Sequence, residues 1–275
     1  MAESKVSSKR SDDDLFVVIL AGGIGSRFWP ASTPSRPKQL LALATDSPLV
    51  VDTFRRGAGI VPVNQVRLLA NARLTAAFQA LPEQWEDDVY WVEPRARGTC
   101  PALAWAAWSI ERECPGAVMI SLHSDHLIEP LDDFQRTISA AVELARNREI
   151  LVCIGAVPDR IETGYGHIQP GESIALESEI EASTVSAFHE KPNATNAERY
   201  LQEGYLWNTG MFVWKASTFL NEVRVNAPEI GACLPLLEES PEAFFDAVPE
   251  GPVDTMVLER SACVGVVQAS FSWDD

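Results

Sequence analysis

The stretch "VVILAGGIGSRFWPASTPSRPKQL", residues 17–40, joins a short apolar run to a loop rich in glycine, proline and basic residues. Glycine lets the backbone approach a ligand closely, and proline stiffens the loop and stops a helix from continuing. No acidic residue occurs from Leu15 to Thr45, so Arg27, Arg36 and Lys38 make this segment positive within a chain whose net charge is −17. A strand that leads into such a loop predicts an anion site, in which backbone N–H groups and cations face a phosphate.

Two familiar phosphate-binding loops do not fit this stretch. A dinucleotide fingerprint needs G-x-G-x-x-G at the start of a helix, but Phe28 takes the third glycine position and Pro30 blocks the helix. A P-loop needs G-x-x-x-x-G-K-[ST], and the chain has no such string. On the loop alone, a structural turn with solvated charges stays open as the alternative to an anion site.

Further apolar runs have the length of buried strands, at 15–21, 66–70, 89–93, 118–122 and 150–157. Helical patterns lie between them. In 131–147, the residues Leu131, Phe134, Ile138, Val142 and Ala145 share one helical face. Strands that alternate with helices predict an α/β fold, a Rossmann-like mixed and mainly parallel sheet with helices on both faces.

A second predicted helix lies in 98–112, where Thr99 is the candidate cap and Pro101 falls in the first turn. Beyond residue 158 the pattern loosens into turns and mixed strands, which we interpret as an extension of the same sheet. The expected organisation is therefore a disordered tail over 1–14 followed by one domain over 15–275.

Composition narrows the class of protein. The 275 residues are 46% hydrophobic and 22% charged, as in ordinary globular proteins. The strongly acidic balance argues against a nucleic-acid partner, and no apolar run reaches the ~20 residues that cross a membrane. Five scattered cysteines without C-x-x-C spacing indicate reduced thiols and a cytoplasmic location.

The glycine-rich loop resembles the G-G-x-G-x-R-x-W-P…P-K-Q signature of the sugar-nucleotide pyrophosphorylases, and among them the mannose-1-phosphate guanylyltransferases (GDP-mannose pyrophosphorylases). Further motifs of that family follow in its own order. They are "EPRARGTCPALA" (93–104), "SLHSDHLI" (121–128), "ETGYGHI" (162–168), "FHEKP" (188–192), "YLWNTGMFVWKA" (205–216) and "FSWDD" (271–275).

The resemblance implies a GT-A-like nucleotidyltransferase that transfers GMP from GTP to α-D-mannose 1-phosphate, with Mg²⁺ as cofactor and pyrophosphate as second product. It leaves a homodimer open. It also implies the site residues: Arg27, Lys38 and Asp125 for catalysis; Ala21, Gly22, Gly23, Gly25, Arg97 and Thr99 for the nucleotide; Tyr165, Gly166, Glu190, Lys191 and Asn208 for the sugar phosphate; Asp125 and Asp275 for the metal.

Asp125 also has support from its position, because it follows the predicted strand 118–122 at the carboxyl end, where open α/β sheets bind ligands. A hard carboxylate there suits Mg²⁺. His123 and His126 flank it and raise the question of zinc. Since no cysteine or further histidine is near in sequence, we interpret at least one of them as an ordinary loop residue.

The chain departs from the family pattern at four positions and at its end. Gly98 and Cys100 replace the usual Asn and Ala, and His123 and Ser124 replace Pro and Ala. The family motif normally continues beyond "FSWDD", so we expect a truncated form whose final strand pairing holds the chain up to about Trp273.

Two other functions stay open at this point. One is a pyrophosphorylase for another nucleotide and sugar 1-phosphate, and the other is a non-catalytic nucleotide-sugar-binding regulatory subunit of the same fold. The presence of Arg27, Lys38, Asp125 and Lys191 favours an enzyme over the regulatory subunit.

Overall fold

The computed structural model describes residues 14–22, 32–33, 37–43 and 45–275. Residues 1–13 of the predicted tail lie outside this part of the chain. The strands are β1 (Leu15–Leu20), β2 (Val66–Asn71), β3 (Tyr90–Glu93), β4 (Val118–His123), β5 (Leu127–Glu129), β6 (Leu151–Ala156), β7 (Gly166–Ser173), β8 (Ala182–His189), β9 (Leu206–Lys215), β10 (Val264–Gln268) and β11 (Ser272–Asp274).

The α-helices are α1 (Leu49–Ala58), α2 (Ala72–Gln79), α3 (Thr99–Glu113), α4 (Leu131–Asn147), α5 (Ala194–Gln202), α6 (Ala216–Asn226), α7 (Pro228–Gly231) and α8 (Pro241–Ala247). A short 3₁₀ turn covers Lys38–Leu40, and a π-helix covers Asp254–Leu258. Within the described residues, the helices are too short or too polar to cross a membrane.

Nine strands form one sheet in the order β3-β2-β1-β4-β9-β6-β10-β8-β7. The pairings among β3, β2, β1 and β4 are parallel, as is the pairing of β6 with β10. Strand β9 runs antiparallel to both β4 and β6. The predicted α/β class is confirmed, and the five predicted strands are found within one residue at each end. Strands β7 to β10, which follow residue 158, join this same sheet.

The residues of β1 alternate between two hydrophobic cores, because successive side chains of a strand point to opposite faces. Phe16, Val18 and Leu20 pack with α3 and α6 on one face. Val17 and Ile19 pack with α1 and α4 on the other. Helices therefore cover both faces of the sheet, and the ends of the strands remain as the place for a ligand site.

Two predictions about helices need correction. The helical pattern assigns Leu131 to the buried face of α4, but Leu131 is 46% exposed, because the chain enters the helix there from Pro130 at the surface. Thr99 is not the cap of α3, since Gly98 occupies the N-cap position and Thr99 is the first helical residue. The Thr99 hydroxyl instead accepts a hydrogen bond from the backbone N–H of Val253, at 2.9 Å. The expected place of Pro101 in the first turn is confirmed.

The end of the chain forms a small ribbon of its own. Strand β11 pairs antiparallel with β5, so that Trp273 lies opposite Ile128 and Asp274 opposite Leu127. Pairing therefore extends to about Trp273 as expected, but the final segment forms two strands in different sheets, β10 and β11. The ribbon places residue 275 beside the loop that follows β4.

Candidate active site

A cavity of about 530 Å³ opens at the carboxyl ends of β1 and β4. Strand β1 lies between β2 and β4 in the sheet, so the chain order reverses around it, and such a reversal leaves a crevice at the strand ends. The start of α3, the "ETGYG" turn, strand β9 and the end of the chain supply the other walls. Segments far apart in sequence thus meet at one site.

The glycine-rich loop reaches this cavity through Gly22, which is exposed and lines it. Ala21 is buried, and its N–H is donated to the carbonyl of Leu69 at 2.9 Å, so it holds the loop to the sheet. The other predicted members of the loop, Gly23, Gly25 and Arg27, lie outside the described residues.

Lys38 lies between two of the predicted site carboxylates. Its Nζ is 3.3 Å from Oδ2 of Asp125 and 3.3 Å from Oδ1 of Asp275, while the lysine itself is 4% exposed. The loop that carries Asp125 is fixed by the Ser124 N–H, which donates to the Leu20 carbonyl at 3.1 Å. The two carboxylates therefore converge on one positive charge, although 150 residues separate them in sequence.

Two imidazoles adjoin Asp125. The rings of His123 and His126 have centroids 5.0 Å apart, and burial together with the charge of His123 holds the pKa of His126 well below its usual value. His126 packs edge-on against Trp273, with 5.4 Å between centroids. Ligand atoms of His123, Asp125 and His126 lie within 4.8 Å of one another, so this group could hold a metal.

The predicted sugar-side residues lie in the same cavity. Tyr165, Gly166, Glu190, Lys191 and Asn208 all line it. A Cβ at Gly166 would lie 2.7 Å from Oε2 of Glu190, so only glycine lets that carboxylate come so close. Lys191 forms an ion pair with Glu190 and is the one described non-glycine residue with a positive φ, at 46°. Such strained backbone concentrates at functional sites.

Asp254 lines the cavity beside the predicted sugar-side residues, although no motif in the sequence singles it out. Its Oδ1 accepts a hydrogen bond from Nδ2 of Asn208 at 2.8 Å. Burial and the nearby Glu190 raise the pKa of Asp254 to about 6. It lies at the start of the π-helix, a distortion that occurs often at functional sites. Isolated aspartates have no recognisable pattern, so residue-by-residue interpretation could not find this one.

Glu93 is the second residue that sequence reasoning missed, although it begins the "EPRARGTCPALA" motif. It lies at the end of β3, is 9% exposed and lines the cavity beside Gly22. Burial raises the pKa of Glu93 to about 7, against a hydrogen bond from the Arg97 backbone that lowers it. A carboxyl so poised in a cleft is a candidate for ligand recognition.

The two predicted nucleotide residues of that motif differ in their placement. Thr99 lines the cavity, but its hydroxyl oxygen already accepts from Val253. Nε of Arg97 donates to the carbonyl of Phe245 at 2.9 Å. The guanidinium of Arg97 thus ties the loop to α8, and Arg97 is not among the described residues that line the cavity.

The glycine that replaces the family's asparagine at position 98 has a structural reason. Gly98 adopts a φ of +81°, and a Cβ there would lie 2.5 Å from the carbonyl oxygen of Gly251. The N–H of Cys100 donates to that same carbonyl at 3.1 Å. Close approach of two backbones therefore requires glycine at this position.

The likeness to known proteins extends over nearly the whole chain. The family model described as nucleotidyl transferase matches residues 16–275. The mannose-1-phosphate guanylyltransferase of Escherichia coli K12 is 36% identical over an alignment 279 residues long. The alignment covers 95% of this chain and 57% of that protein. The alginate biosynthesis protein AlgA of Pseudomonas aeruginosa is 34% identical, over 94% of this chain and 56% of that protein.

Among solved structures, one described as a mannose-1-phosphate geranyltransferase from Thermus thermophilus has a TM-score of 0.85 at 28% identity. The match covers 95% of this chain and 76% of that one. The chain spans a little over half the length of the curated relatives. Because the family model covers nearly all of it, and because Gly22, Asp125 and the predicted sugar-side residues line one cavity, the chain belongs to the nucleotidyl transferase family.

Proposed function

We propose that the protein transfers GMP from GTP to α-D-mannose 1-phosphate, forming GDP-mannose and pyrophosphate. The observation that carries this proposal is the convergence of Asp125 and Asp275 on Lys38, since both carboxylates line the cavity together with Gly22 and the proposed sugar-side residues. The names of the E. coli, Vibrio cholerae and Klebsiella relatives support mannose 1-phosphate and a guanylyl group as the substrates.

The reaction exchanges one phosphorus–oxygen bond for another. A phosphate oxygen of the sugar phosphate attacks the α-phosphorus of GTP, and the bond from that phosphorus to the β-bridging oxygen breaks. The electron pair leaves with pyrophosphate. The protein itself forms no covalent bond in this step. The rate therefore depends on positioning the sugar phosphate and the GTP phosphates and on neutralising their charge.

Asp125 and Asp275 are the residues that would hold Mg²⁺. They fit this role because one ammonium lies 3.3 Å from both carboxylates, so both can also converge on one divalent cation. Bound there, Mg²⁺ would supply positive charge to the phosphate oxygens. Lys38 holds the two carboxylates in place and adds its own charge beside them. For the departing pyrophosphate we propose Arg27, whose planar fork can bridge two oxygens.

We assign the sugar phosphate to the part of the cavity that Glu190 and Lys191 line. Lys191 is 64% exposed at its side chain and can reach a phosphate, whereas Glu190 can accept hydrogen bonds from sugar hydroxyls. Tyr165 contacts Trp207 and Trp273 edge-on, with ring centroids 5.4 and 4.9 Å away. These contacts hold its ring in place, where it can pack against the edge of a sugar. Asn208 is oriented by Asp254, which leaves its amide oxygen to accept from the Gly210 backbone.

Glu93 supports guanine over uracil or thymine. Guanine presents two neighbouring donors, N1–H and the exocyclic amine, and a carboxylate can accept from both. Uracil and thymine present one N–H between two carbonyl oxygens, which a carboxylate repels. Leu69, Ala96 and Ala102 line the same cavity and supply apolar surface that can cover a base.

The proposed location is the cytoplasm. The five cysteines are scattered along the sequence without C-x-x-C spacing, which fits a reducing compartment.

The experiment is an assay of pyrophosphate release over a matrix of nucleotides and sugar 1-phosphates in the presence of Mg²⁺. GTP with mannose 1-phosphate should exceed UTP or dTTP with the same sugar by at least tenfold in kcat/KM, about 1.4 kcal/mol on the transition state. A preference for a pyrimidine nucleotide would overturn the guanylyl assignment. Binding of GDP-mannose without turnover of any pair would favour the regulatory subunit.

A further inference from the structure

The cavity contains a group of metal ligands that the two-carboxylate site does not use. His123 is the last residue of β4, and His126 directly precedes β5. The short turn between these strands therefore brings both imidazoles close to Asp125. Their ligand atoms and a carboxylate oxygen of Asp125 lie within 4.8 Å of one another. Ligands of a tetrahedral zinc stand roughly 3.4 Å apart, so small side-chain movements would close this group on one ion.

The second observation is a buried nitrogen atom. His126 is 4% exposed, and its Nδ1 finds no hydrogen-bond partner among the described residues. A buried polar atom without a partner is uncommon, since its desolvation is not offset. A cation that this group bound through Nδ1 of His126 would give that nitrogen a partner.

The surrounding backbone lets His123 take its position. Gly210 has a φ of +73°, and a Cβ at this residue would lie 2.9 Å from Nε2 of His123. Strand β9 thus leaves room for the imidazole beside the cavity. Acidic side chains outnumber basic ones among the described lining residues, with Glu93, Glu190 and Asp254 adding to the two proposed magnesium ligands. That excess of negative charge attracts a cation.

We propose that His123, Asp125 and His126 form a binding site for a borderline first-row divalent cation of the Zn²⁺ and Co²⁺ type. Imidazole nitrogen favours these ions over Mg²⁺, which prefers oxygen ligands. Three protein ligands leave further coordination positions for phosphate oxygens or water. The site shares Asp125 with the proposed magnesium site, so the two ions compete for that carboxylate.

The test is a titration of the chelator-treated protein with Co²⁺, followed by visible absorption. We expect one equivalent to produce bands of a nitrogen-ligated, low-coordinate cobalt ion, and one equivalent of Zn²⁺ to remove them. His123→Ala should weaken Co²⁺ binding at least tenfold, about 1.4 kcal/mol. His126→Gln should do the same, and if that variant fails to fold, His123→Ala carries the test alone.

The matched control is His189→Ala. His189 stacks on Tyr200, with ring centroids 5.0 Å apart, and is not part of the ligand group. This variant should keep the wild-type cobalt spectrum and affinity. Near-ultraviolet circular dichroism shows whether each variant keeps its fold.

Three results would overturn the proposal: a cobalt spectrum typical of oxygen-only octahedral coordination, unchanged affinity in folded His123→Ala, or an equal loss in His189→Ala. The readout is independent of turnover. If histidine-dependent cobalt binding is found but no nucleotide is turned over, the proposed function fails and the metal site stands. If Mg²⁺-dependent turnover is normal but cobalt binding does not depend on the histidines, the metal site fails and the proposed function stands.

Discussion

At the scale of single residues, the protonation of Glu93 should control the affinity for GTP. Burial raises the pKa of Glu93 to about 7, so in the free protein the carboxyl is neutral below that pH and charged above it. Only the charged form accepts from both guanine donors, so the KM for GTP should fall as pH rises through about 7. Initial rates over pH 5.5–8.5 measure this.

Glu93→Gln is the matched variant, because it keeps the shape of the side chain and removes the titration. Its KM for GTP should be higher by roughly tenfold at pH 8, as for a hydrogen bond lost to a charged group, and should not vary with pH across this range. A variant that retains the wild-type pH profile would show that Glu93 does not contact the base.

The same carboxyl should make stability depend on pH. Since the folded state raises the pKa, the protonated form is favoured by folding. Glu93 therefore contributes stability that is full below about pH 4.5, the ordinary value, and is lost as pH rises through about 7. The melting temperature of the wild type should therefore fall, relative to that of Glu93→Gln, as pH rises from about 4.5 to about 7. A difference independent of pH would contradict the burial argument.

Lys191→Ala should mainly weaken binding of the sugar phosphate. Its ammonium is assigned to a phosphate that is charged before and during the reaction, so its loss raises the KM for mannose 1-phosphate more than it lowers kcat. Lys215→Ala is the control, because Lys215 pairs with Glu149 at the far end of β9. A Lys191→Ala variant that loses kcat with an unchanged KM would assign this lysine to the transition state instead.

Candidate site residues that occur in motifs can be proposed from the sequence, whereas candidates defined by burial alone cannot. Asp125, Glu190 and Lys191 follow apolar runs in strings with a fixed order, so the sequence alone suggests them. Asp254 lies in a segment without a motif, and its raised pKa depends on burial and on Glu190, which is 64 residues away in sequence. No local pattern contains that proximity.

At the scale of elements, strand β9 depends on glycine at position 210. Gly210→Ala introduces a side chain at a φ of +73° and 2.9 Å from Nε2 of His123. Gly204→Ala separates the two effects, because Gly204 has a φ of +76° but nothing within 4 Å of its Cβ position. Both variants should lose about 1 kcal/mol or more in free energy of unfolding, because a side chain strains the backbone at a positive φ. Gly210→Ala should lose additional stability through the clash.

Denaturant unfolding of the two glycine variants gives the comparison. Equal losses in free energy of unfolding would mean that the His123 imidazole moves aside at no cost, and that β9 does not fix its position.

Elements were predictable where local pattern determines them. The five strands were recognised because each is a continuous apolar run in the sequence, although β3 is only partly buried, and α4 was recognised because its apolar positions recur on one face. The β5–β11 ribbon was not predicted, because each strand has three residues and their pairing joins positions about 145 apart. The N-cap of α3 was misassigned since the threonine hydroxyl has a distant partner, Val253.

At the scale of the whole molecule, Trp273 connects the end of the chain to the site. It packs edge-on against both His126 and Tyr165. Trp273→Ala should leave the nine-stranded sheet intact but loosen the ribbon that positions Asp275. We expect the magnesium midpoint for turnover to rise several-fold, since displacement of ~1 Å in such a site is costly.

Trp85→Ala is the control for this prediction. Trp85 stacks on Phe54, with centroids 4.2 Å apart, and does not line the cavity. It should lower thermal stability and leave the magnesium midpoint unchanged. A parallel change of the midpoint in both variants would mean that general loosening of the fold is responsible.

The pair of Lys38 with Asp275 spans 237 positions of the chain, and this distance has a consequence in time. Closing so long a loop is entropically costly and comes late, after the contacts between neighbouring strands have formed. On the ribosome, the first carboxylate and its lysine are made long before the second carboxylate emerges. Partly synthesised chains can therefore assemble much of the sheet while the proposed metal site is still incomplete. In refolding, recovery of activity should lag behind recovery of secondary structure.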